Sequence, residues 1–140
     1  MVVREWVDQC AILDHECVEG FLSHSGWNSM LESICAGVPL AAWSMGNEQP
    51  LNAKLAVHEL RIGLRVSVGT TGVVSSQEIA TVVRELIGGE KGAEASTNAA
   101  TLAAKGREAV AKGVSSWRAL HELIGGLNQQ PGDGTVQVLQ

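Results

Sequence analysis

The sequence lacks any hydrophobic run long enough to cross a membrane. Its longest charge-free stretch, Ser33 to Asn47, is interrupted by Gly37, Pro39 and Gly46, whereas a spanning helix needs about 20 predominantly apolar residues. Residues 1–6 also lack the apolar block of a secretory signal peptide. The cysteines number only three, an odd count that argues against a disulfide framework and fits a reducing compartment. We therefore expect a cytoplasmic protein.

The chain also lacks an excess of positive charge and the common glycine-rich phosphate loops. Its formal net charge is −5, so we expect neither a nucleic-acid partner nor a membrane partner. Neither G-x-x-x-x-G-K-[ST] nor G-x-G-x-x-G occurs, which excludes those two nucleotide-binding motifs. The sequence does contain 45% hydrophobic residues over 140 positions, enough to form the core of about one domain.

The first half of the sequence predicts strands that alternate with helices. Four short apolar runs are typical of buried strands, at Val2–Trp6, Val18–His24, Pro39–Trp43 and Leu64–Val68. Helical patterns over Asn28–Ala36 and Pro50–Leu60 separate the last three runs, and the first of these helices stops at Gly37. This alternation is typical of βαβ units. We expect an α/β fold, with a Rossmann-like parallel sheet and flanking helices.

The second half predicts helices that cover this sheet. Ser75-Ser76-Gln77-Glu78 is a capping box, and the helix that follows it ends at Gly88-Gly89. Residues 96–112 predict an alanine-rich helix, and Ser115 or Ser116 caps a last helix. We expect the apolar face of the last helix in the core, namely Trp117, Leu120, Leu123, Ile124 and Leu127. Residues 1–127 then form one partial domain, and residues 128–140 form a flexible tail.

The loops after the predicted strands carry the candidate binding residues, because ligands of open α/β sheets bind beyond the carboxyl ends of the strands. The most informative loop is His24-Ser25-Gly26-Trp27-Asn28-Ser29, which leads into a helix. The free N–H groups and the positive dipole end of that helix favour an anion. Gly26 allows close backbone approach, Ser29 can add a hydroxyl group, and His24 can add an imidazole N–H. The loop therefore predicts a phosphate site.

Three further positions extend the phosphate site. Glu32 lies one helical turn after Asn28 on the same face, where its carboxylate can accept hydrogen bonds from a ribose diol. Trp6 offers a flat face to a base, and Glu48 with Gln49 suits sugar hydroxyls. Taken alone, Trp6 and His24 would more readily be core residues, and only their place in the whole pattern favours binding.

Together these residues resemble the plant secondary product glycosyltransferase signature, the donor-binding motif of the UDP-dependent family 1 glycosyltransferases. The spacing matches without a gap from Trp6 to Gln49. The matching positions are Trp6-Val7-Asp8-Gln9, His24 to Ser29, Glu32, Gly37-Val38-Pro39, Glu48-Gln49 and Asn52. A weaker resemblance continues through residues 63–66 and 113–117, so it covers the chain to about Leu127.

The resemblance implies a role for each matched position. Trp6 is expected to stack on uracil, while the Val7 backbone pairs with the edge of the base. Gln9 is expected to reach towards the ribose and Glu32 to hold its hydroxyls. The phosphates are assigned to His24, Asn28 and Ser29, with Trp27 shaping the loop, and the transferred sugar is assigned to Glu48 and Gln49. Gln49 at the last position favours a glucose donor.

The sequence departs from the family pattern at three positions. Ser25 stands where the family usually has Cys, a change expected to have little effect. Ser44 replaces the usual Pro after Trp43, which predicts a less rigid loop. Glu48 replaces the usual Asp and moves the carboxylate by roughly 1–1.5 Å, a displacement large enough to alter catalysis. The sugar preference is therefore open.

The resemblance also implies a GT-B fold and an inverting transfer of a hexose from UDP-sugar to a hydroxyl of a small phenolic or flavonoid acceptor. No cofactor or metal is expected, since the only aspartates, Asp8, Asp14 and Asp133, form no Asp-x-Asp motif that could clamp a diphosphate through a metal. The family's catalytic base lies in an N-terminal domain, so we expect no catalytic residue in this chain and read it as a C-terminal fragment. The alternative is a non-catalytic, truncated fragment that binds nucleotide sugar.

Overall fold

A three-stranded parallel sheet organises the first half of the chain in the computed structural model, which describes residues 2–67 and 72–128. Its strands are β1 (Phe21–Ser23), β2 (Leu40–Ala42) and β3 (Gly63–Arg65), in the order β1-β2-β3. Both strand pairs are parallel, with Leu22 opposite Ala41 and Ala41 opposite Leu64. The parallel sheet predicted from the alternation of strands and helices is confirmed.

Six α-helices accompany the strands in the described part of the chain. They are α1 (Gln9–Leu13), α2 (Trp27–Ala36), α3 (Gln49–Lys54), α4 (Ser76–Gly88), α5 (Glu90–Val110) and α6 (Ser115–Asn128). A π-helical segment, Leu55–Glu59, continues α3. Helix α2 connects β1 to β2, and α3 with the π-helical segment connects β2 to β3, so the predicted βαβ units are present.

The helix ends follow the signals in the sequence. Gly37 ends α2 in the left-handed conformation at a φ of 75°, which glycine adopts without a Cβ penalty. The Ser75 side chain accepts a hydrogen bond from the Glu78 N–H at the start of α4. The Glu78 carboxylate accepts from the Ser67 N–H, so it ties the helix to the chain after β3.

The core of the sheet lies on both faces of β2, because successive strand residues point to opposite sides. Leu40 belongs to one cluster, with Met30, Ala56, Ile62 and Ala99. Ala41 belongs to the other, with Val66, Val82, Leu86 and Ala95. All three residues of β2 are fully buried, as expected for a central parallel strand.

The described residues divide into two compact units, the first ending at Gly106 and the second beginning at Arg107. The second unit contains α6, whose apolar face was expected in the core. That expectation is wrong for the described residues, since Leu120, Leu123 and Leu127 are more than half exposed. No element within residues 107–128 covers this face, so the apolar stripe predicted the helix but not its burial. The boundary expected after Leu127 stays a prediction, because residues 129–140 lie outside the described part.

The predicted strand Val2–Trp6 is also wrong. This segment is not part of the sheet, and Val2 and Trp6 expose 84% and 90% of their surface. An apolar run becomes a strand only where a neighbouring strand takes its N–H and C=O groups, and no described strand lies beside it. The chain instead enters α1, which was not predicted. Asp8 caps this helix through a 3.0 Å hydrogen bond from the Ala11 N–H.

Two smaller predictions also differ from the structure. Strand β3 begins at Gly63 and ends at Arg65, whereas the run Leu64–Val68 was expected, and Val68 lies outside the described residues. The helical pattern over Asn28–Ala36 also predicts that Leu31, Ile34 and Cys35 share the apolar side of α2, yet Leu31 and Cys35 are exposed, and the buried residues are Met30 and Ser33. Among the described helices, none is both long and apolar enough to cross a membrane.

Candidate functional site

The site is built around a contact between α1 and α2. The Gln9 side chain, in the first turn of α1, donates a 2.5 Å hydrogen bond from Nε2 to Glu32 Oε2. The same nitrogen lies 3.5 Å from Ser29 Oγ. The structure therefore brings together three of the predicted binding residues. A carboxylate has about four acceptor positions, so Glu32 can bind Gln9 and still accept from ligand hydroxyls.

Ser29 and Glu32 both belong to α2 and lie near its N-terminus. Gly26 is its N-cap residue, in extended backbone, and no side chain caps the first turn. Because the first N–H groups of a helix have no intrahelical partner, those of this ten-residue helix can serve an anion. Trp27 and Asn28, at the start of α2, are exposed to solvent.

His24 lies directly over Gly26. A Cβ placed on Gly26 would lie 2.4 Å from His24 Nε2, closer than any van der Waals contact allows. The missing side chain of Gly26 thus makes room for the imidazole beside the helix N-terminus. Since His24 is exposed, a larger residue at position 26 would displace its ring into solvent. The close approach of a phosphate to the Gly26 backbone stays a prediction.

Ser25 connects the strand to this helix in a strained and buried conformation. Its φ is +65°, in the left-handed region that side chains rarely adopt. Its N–H donates to Ser23 Oγ at 3.2 Å, and its carbonyl accepts from Asn52 Nδ2 at 3.0 Å. Its own hydroxyl is fully buried and has no hydrogen-bond partner among the described residues. Strain of this kind is commonly found at functional sites.

Gln49 organises the loop between β2 and α3. Its Oε1 accepts hydrogen bonds from the Met45 N–H at 2.8 Å and the Gly46 N–H at 3.1 Å. Asn47, between them and the helix, has a positive φ of 53°. The amide NH₂ of Gln49 remains as a donor group for a ligand. Glu48 is exposed at the N-cap position of α3, so its carboxylate faces solvent.

Trp6 and Val7 are placed before α1, in the segment that leads to Gln9. Trp6 is 90% exposed, so both faces of its indole ring are accessible to a planar base. Val7 is also exposed. These two residues come three and two positions before Gln9 in the chain. The structure shows no hydrogen bond or ring contact that fixes the indole within the described residues.

The electrostatics near Gln9 are those of an acidic surface. Desolvation by neighbouring protein atoms and the Glu32 carboxylate raise the pKa of the Cys10 thiol, and Asp8 and Asp14 add to the same effect. Within residues 2–67 and 72–128, no three His, Cys, Asp or Glu side chains converge where they could hold a metal ion. An anion at this site would be held by the α2 dipole, the first-turn N–H groups and His24.

Sequence reasoning missed the supporting role of Asn52. This residue is buried in α3, and its amide holds the Ser25 carbonyl across 27 positions of sequence. It therefore links the two loops that carry the predicted phosphate and sugar contacts. Its place three residues after Gln49 in the matching pattern was a signal, but only the fold shows what its side chain touches.

The chain is similar to known UDP-dependent glycosyltransferases. The family model described as UDP-glucoronosyl and UDP-glucosyl transferase matches residues 1–104. The chain is 51% identical over 118 residues to UDP-glycosyltransferase 90A2 of Arabidopsis thaliana, covering 84% of this chain and 25% of that protein. It is 42% identical over 123 residues to isoflavone 7-O-glucosyltransferase 1 of Glycine max, covering 88% of this chain and 26% of that protein.

The fold is similar to that of solved plant enzymes with the GT-B architecture. The structure of Phytolacca americana UGT2 complexed with UDP-2fluoro-glucose and pterostilbene matches with a TM-score of 0.84 at 36% identity. The match covers 89% of this chain and 29% of that one. The chain thus spans about a quarter of the length of its curated relatives and has the Rossmann-like α/β fold of part of a GT-B protein. By its family model and its relatives, the chain belongs to the UDP-glucoronosyl and UDP-glucosyl transferase family.

Proposed function

We propose that this chain is the donor-binding half of a UDP-sugar-dependent glycosyltransferase that transfers a hexose, with glucose as the first candidate, to a hydroxyl group of a small phenolic acceptor. The observation that carries the proposal is the hydrogen-bonded cluster of Gln9, Ser29 and Glu32 beside the uncapped N-terminus of α2. The Glu32 carboxylate, which can accept hydrogen bonds from ribose hydroxyls, lies on the same helix as an N-terminus suited to an anion. The chain belongs to the UDP-glycosyltransferase family.

The parts of the donor are assigned along the site in order. Uracil stacks on Trp6 and pairs with the Val7 backbone, and the ribose hydroxyls bind Glu32 with Gln9 as its partner. The diphosphate lies at the N-terminus of α2. It is held there by His24, Asn28 and Ser29, with Trp27 shaping the loop. The hexose binds Glu48 and the free NH₂ of Gln49.

This arrangement supports departure of the leaving group. In a direct displacement at the anomeric carbon, negative charge develops on the leaving UDP, and preorganised N–H donors stabilise it. The α2 N-terminus and His24 supply such donors without a metal ion, and we propose none. The acceptor hydroxyl requires a general base, which we assign to an N-terminal domain outside these 140 residues. We also propose that the protein acts in the cytoplasm.

The relatives support the acceptor class. One is named for glucosylation of an isoflavone, and one solved structure contains the phenolic compound pterostilbene. We therefore propose hydroxylated phenolics, flavonoids among them, as the acceptors of the whole protein.

Calorimetric titration of the 140-residue chain with UDP-glucose tests the donor assignment. We expect binding that Glu32→Ala weakens by about 1–3 kcal/mol, the usual contribution of a hydrogen bond to a charged group. Glu122→Ala, which removes an exposed carboxylate outside the site, should leave the affinity unchanged. Equal affinities for the wild type and Glu32→Ala would refute the ribose assignment.

A turnover assay separates the two remaining interpretations. Binding without turnover by this chain alone, with turnover once an N-terminal domain is supplied, supports the transferase proposal. Binding without turnover in either form supports the alternative, a truncated nucleotide-sugar-binding fragment. Turnover of a phenol by the chain alone would refute the assignment of the base to another domain.

A further inference from the structure

A concave region that contains none of the proposed donor-binding residues lies within residues 57–95. It is a groove of about 610 Å³, within the usual size range of ligand-binding pockets. Its floor is β3, one wall is formed by the π-helical segment and Arg61, and the other wall is formed by α4 and the start of α5. We refer to it as the β3 groove.

The floor of the β3 groove is an edge strand of the sheet among the described residues, with Gly63 buried and Arg65 exposed. Among residues 2–67 and 72–128, strand β3 pairs only with β2, through bonds that include the Leu40 N–H to Ile62 O at 2.9 Å and the Val66 N–H to Ala42 O at 3.0 Å. In a ladder, alternate residues direct their backbone groups to opposite sides. Gly63 and Arg65 therefore direct their N–H and C=O groups away from β2, and these pair with no other backbone group of the described residues.

The two walls combine apolar surface with positive charge. Leu64 packs with Val82 and Ala95 on the side of α4 and α5. Since strand side chains alternate, Arg65 projects to the other face, towards the wall formed by the π-helical segment. Lys91 belongs to the α5 wall, so each wall of the groove carries a cation.

The β3 groove also contains two carboxylates, of which only Glu94 lies in an ion pair with another described residue. Glu94 lies 3.7 Å from Arg61 in an ion pair. Glu85 accepts a 3.1 Å hydrogen bond from the Lys91 backbone N–H at the start of α5, where the helix dipole favours a negative charge. Within the described part of the chain, Arg65 and the Lys91 ammonium group form no ion pair. The lining thus has three cations, Arg61, Arg65 and Lys91, against the two carboxylates, and Arg65 and Lys91 are the cations that lie in no ion pair with a described residue.

We propose that the β3 groove binds an extended acidic peptide segment, which adds as a strand to β3 and places neighbouring acidic side chains against Arg65 and Lys91. Main-chain hydrogen bonds to an open sheet edge give affinity in such complexes, and alternate side chains give specificity. The charge pattern disfavours a second copy of this chain, since pairing of two β3 edges would bring like cations together.

A titration of the ¹⁵N-labelled 140-residue chain, followed by its amide NMR signals, tests the proposal. The probe is the capped peptide Thr-Val-Glu-Glu-Val-Thr, compared with its Lys-Lys counterpart and with a version N-methylated at the two central residues. We expect the acidic peptide to shift the Gly63 and Arg65 amides. The basic peptide has the opposite charge, and the N-methylated peptide lacks two backbone N–H donors. Both should leave these amides unshifted.

Variants locate the binding surface. Arg65→Glu and Lys91→Glu should each weaken the acidic peptide roughly tenfold, because each reverses one complementary charge. Both side chains are exposed, and a glutamate in the first turn of α5 favours the helix, so the fold should be kept. Arg84→Glu, an exposed reversal on α4 outside the groove, should change nothing.

Three outcomes would overturn the proposal. One is equal shifts with acidic and basic peptides, and another is the absence of shifts at β3 at millimolar peptide. The third is a concentration-dependent shift of the Gly63 and Arg65 amides without peptide, which would assign the groove to a second copy of the chain.

Discussion

The buried hydroxyl of Ser25 offers a sharp test of the geometry at the phosphate loop. Its Oγ is fully buried and has no hydrogen-bond partner among the described residues. An unsatisfied buried hydroxyl costs about 1–3 kcal/mol. Ser25→Ala removes this oxygen and keeps the backbone hydrogen bonds to Ser23 and Asn52. We therefore expect Ser25→Ala to raise the free energy of unfolding by about 1 kcal/mol.

Ser33 provides the matched control. It is buried to the same extent, but its hydroxyl donates to the Val38 carbonyl behind the left-handed turn at Gly37. Ser33→Ala leaves that carbonyl without its donor and should lower the free energy of unfolding by about 1–2 kcal/mol. The two substitutions remove the same atom from equally buried positions, so their opposite signs isolate the effect of the missing partner.

Urea denaturation followed by circular dichroism at 222 nm measures both changes. With a slope of about 2 kcal/mol per molar urea, the midpoint should rise by about 0.5 M for Ser25→Ala and fall by about 0.5–1 M for Ser33→Ala. Ser25→Cys introduces the residue that the glycosyltransferase signature usually has at this position. It should also raise the midpoint, since a thiol tolerates an apolar site. A fall in the midpoint for Ser25→Ala, equal to that of Ser33→Ala, would refute the reasoning.

Three further predictions concern the same unit. Gly37→Ala should lower the free energy of unfolding by about 1 kcal/mol in the same urea assay, since the φ of 75° disfavours a side chain; Gly46→Ala, at an open position with ordinary φ, should be nearly neutral, and equal effects would contradict the account. Asn52→Leu removes the donor that holds the loop before α2 and should lower both the thermal midpoint and the affinity for UDP; an unchanged affinity would separate this residue from the site. Glu32→Gln removes a carboxylate that raises the pKa of Cys10, so the thiolate fraction at pH 8 should increase and iodoacetamide should modify Cys10 faster by mass spectrometry; an unchanged rate would contradict the electrostatic assignment.

Much of the fold could be predicted from local signals. The apolar runs around β1, β2 and β3 and the glycine at the end of α2 predicted these elements because each signal acts within a few residues. The strand expected at Val2–Trp6 failed for a different reason. A strand depends on a neighbour that the local sequence does not specify, and in this structure the segment is exposed. The apolar face of α6 was likewise predicted to be buried, although burial depends on the surface that faces it.

In the candidate site too, some features could be predicted from the sequence and others depend on the fold. The family resemblance implied that Gln9, Ser29 and Glu32 share one ligand, and the structure joins these side chains by hydrogen bonds. The binding roles themselves stay predictions. The strain at Ser25 and its bond to Asn52 could not be predicted, because a positive φ and a contact across 27 residues arise from the fold.

The most direct test of the central claim is a thermodynamic cycle between Glu32 and the ribose of UDP. Calorimetry would measure the binding of UDP and of 2′-deoxy-UDP to the wild-type chain and to Glu32→Ala. If Glu32 holds the ribose hydroxyls, the deoxy ligand should bind the wild type about tenfold more weakly, a loss of about 1.4 kcal/mol, and the two ligands should bind Glu32→Ala equally. Equal binding of both ligands to the wild type, or no binding of UDP at all, would contradict the account.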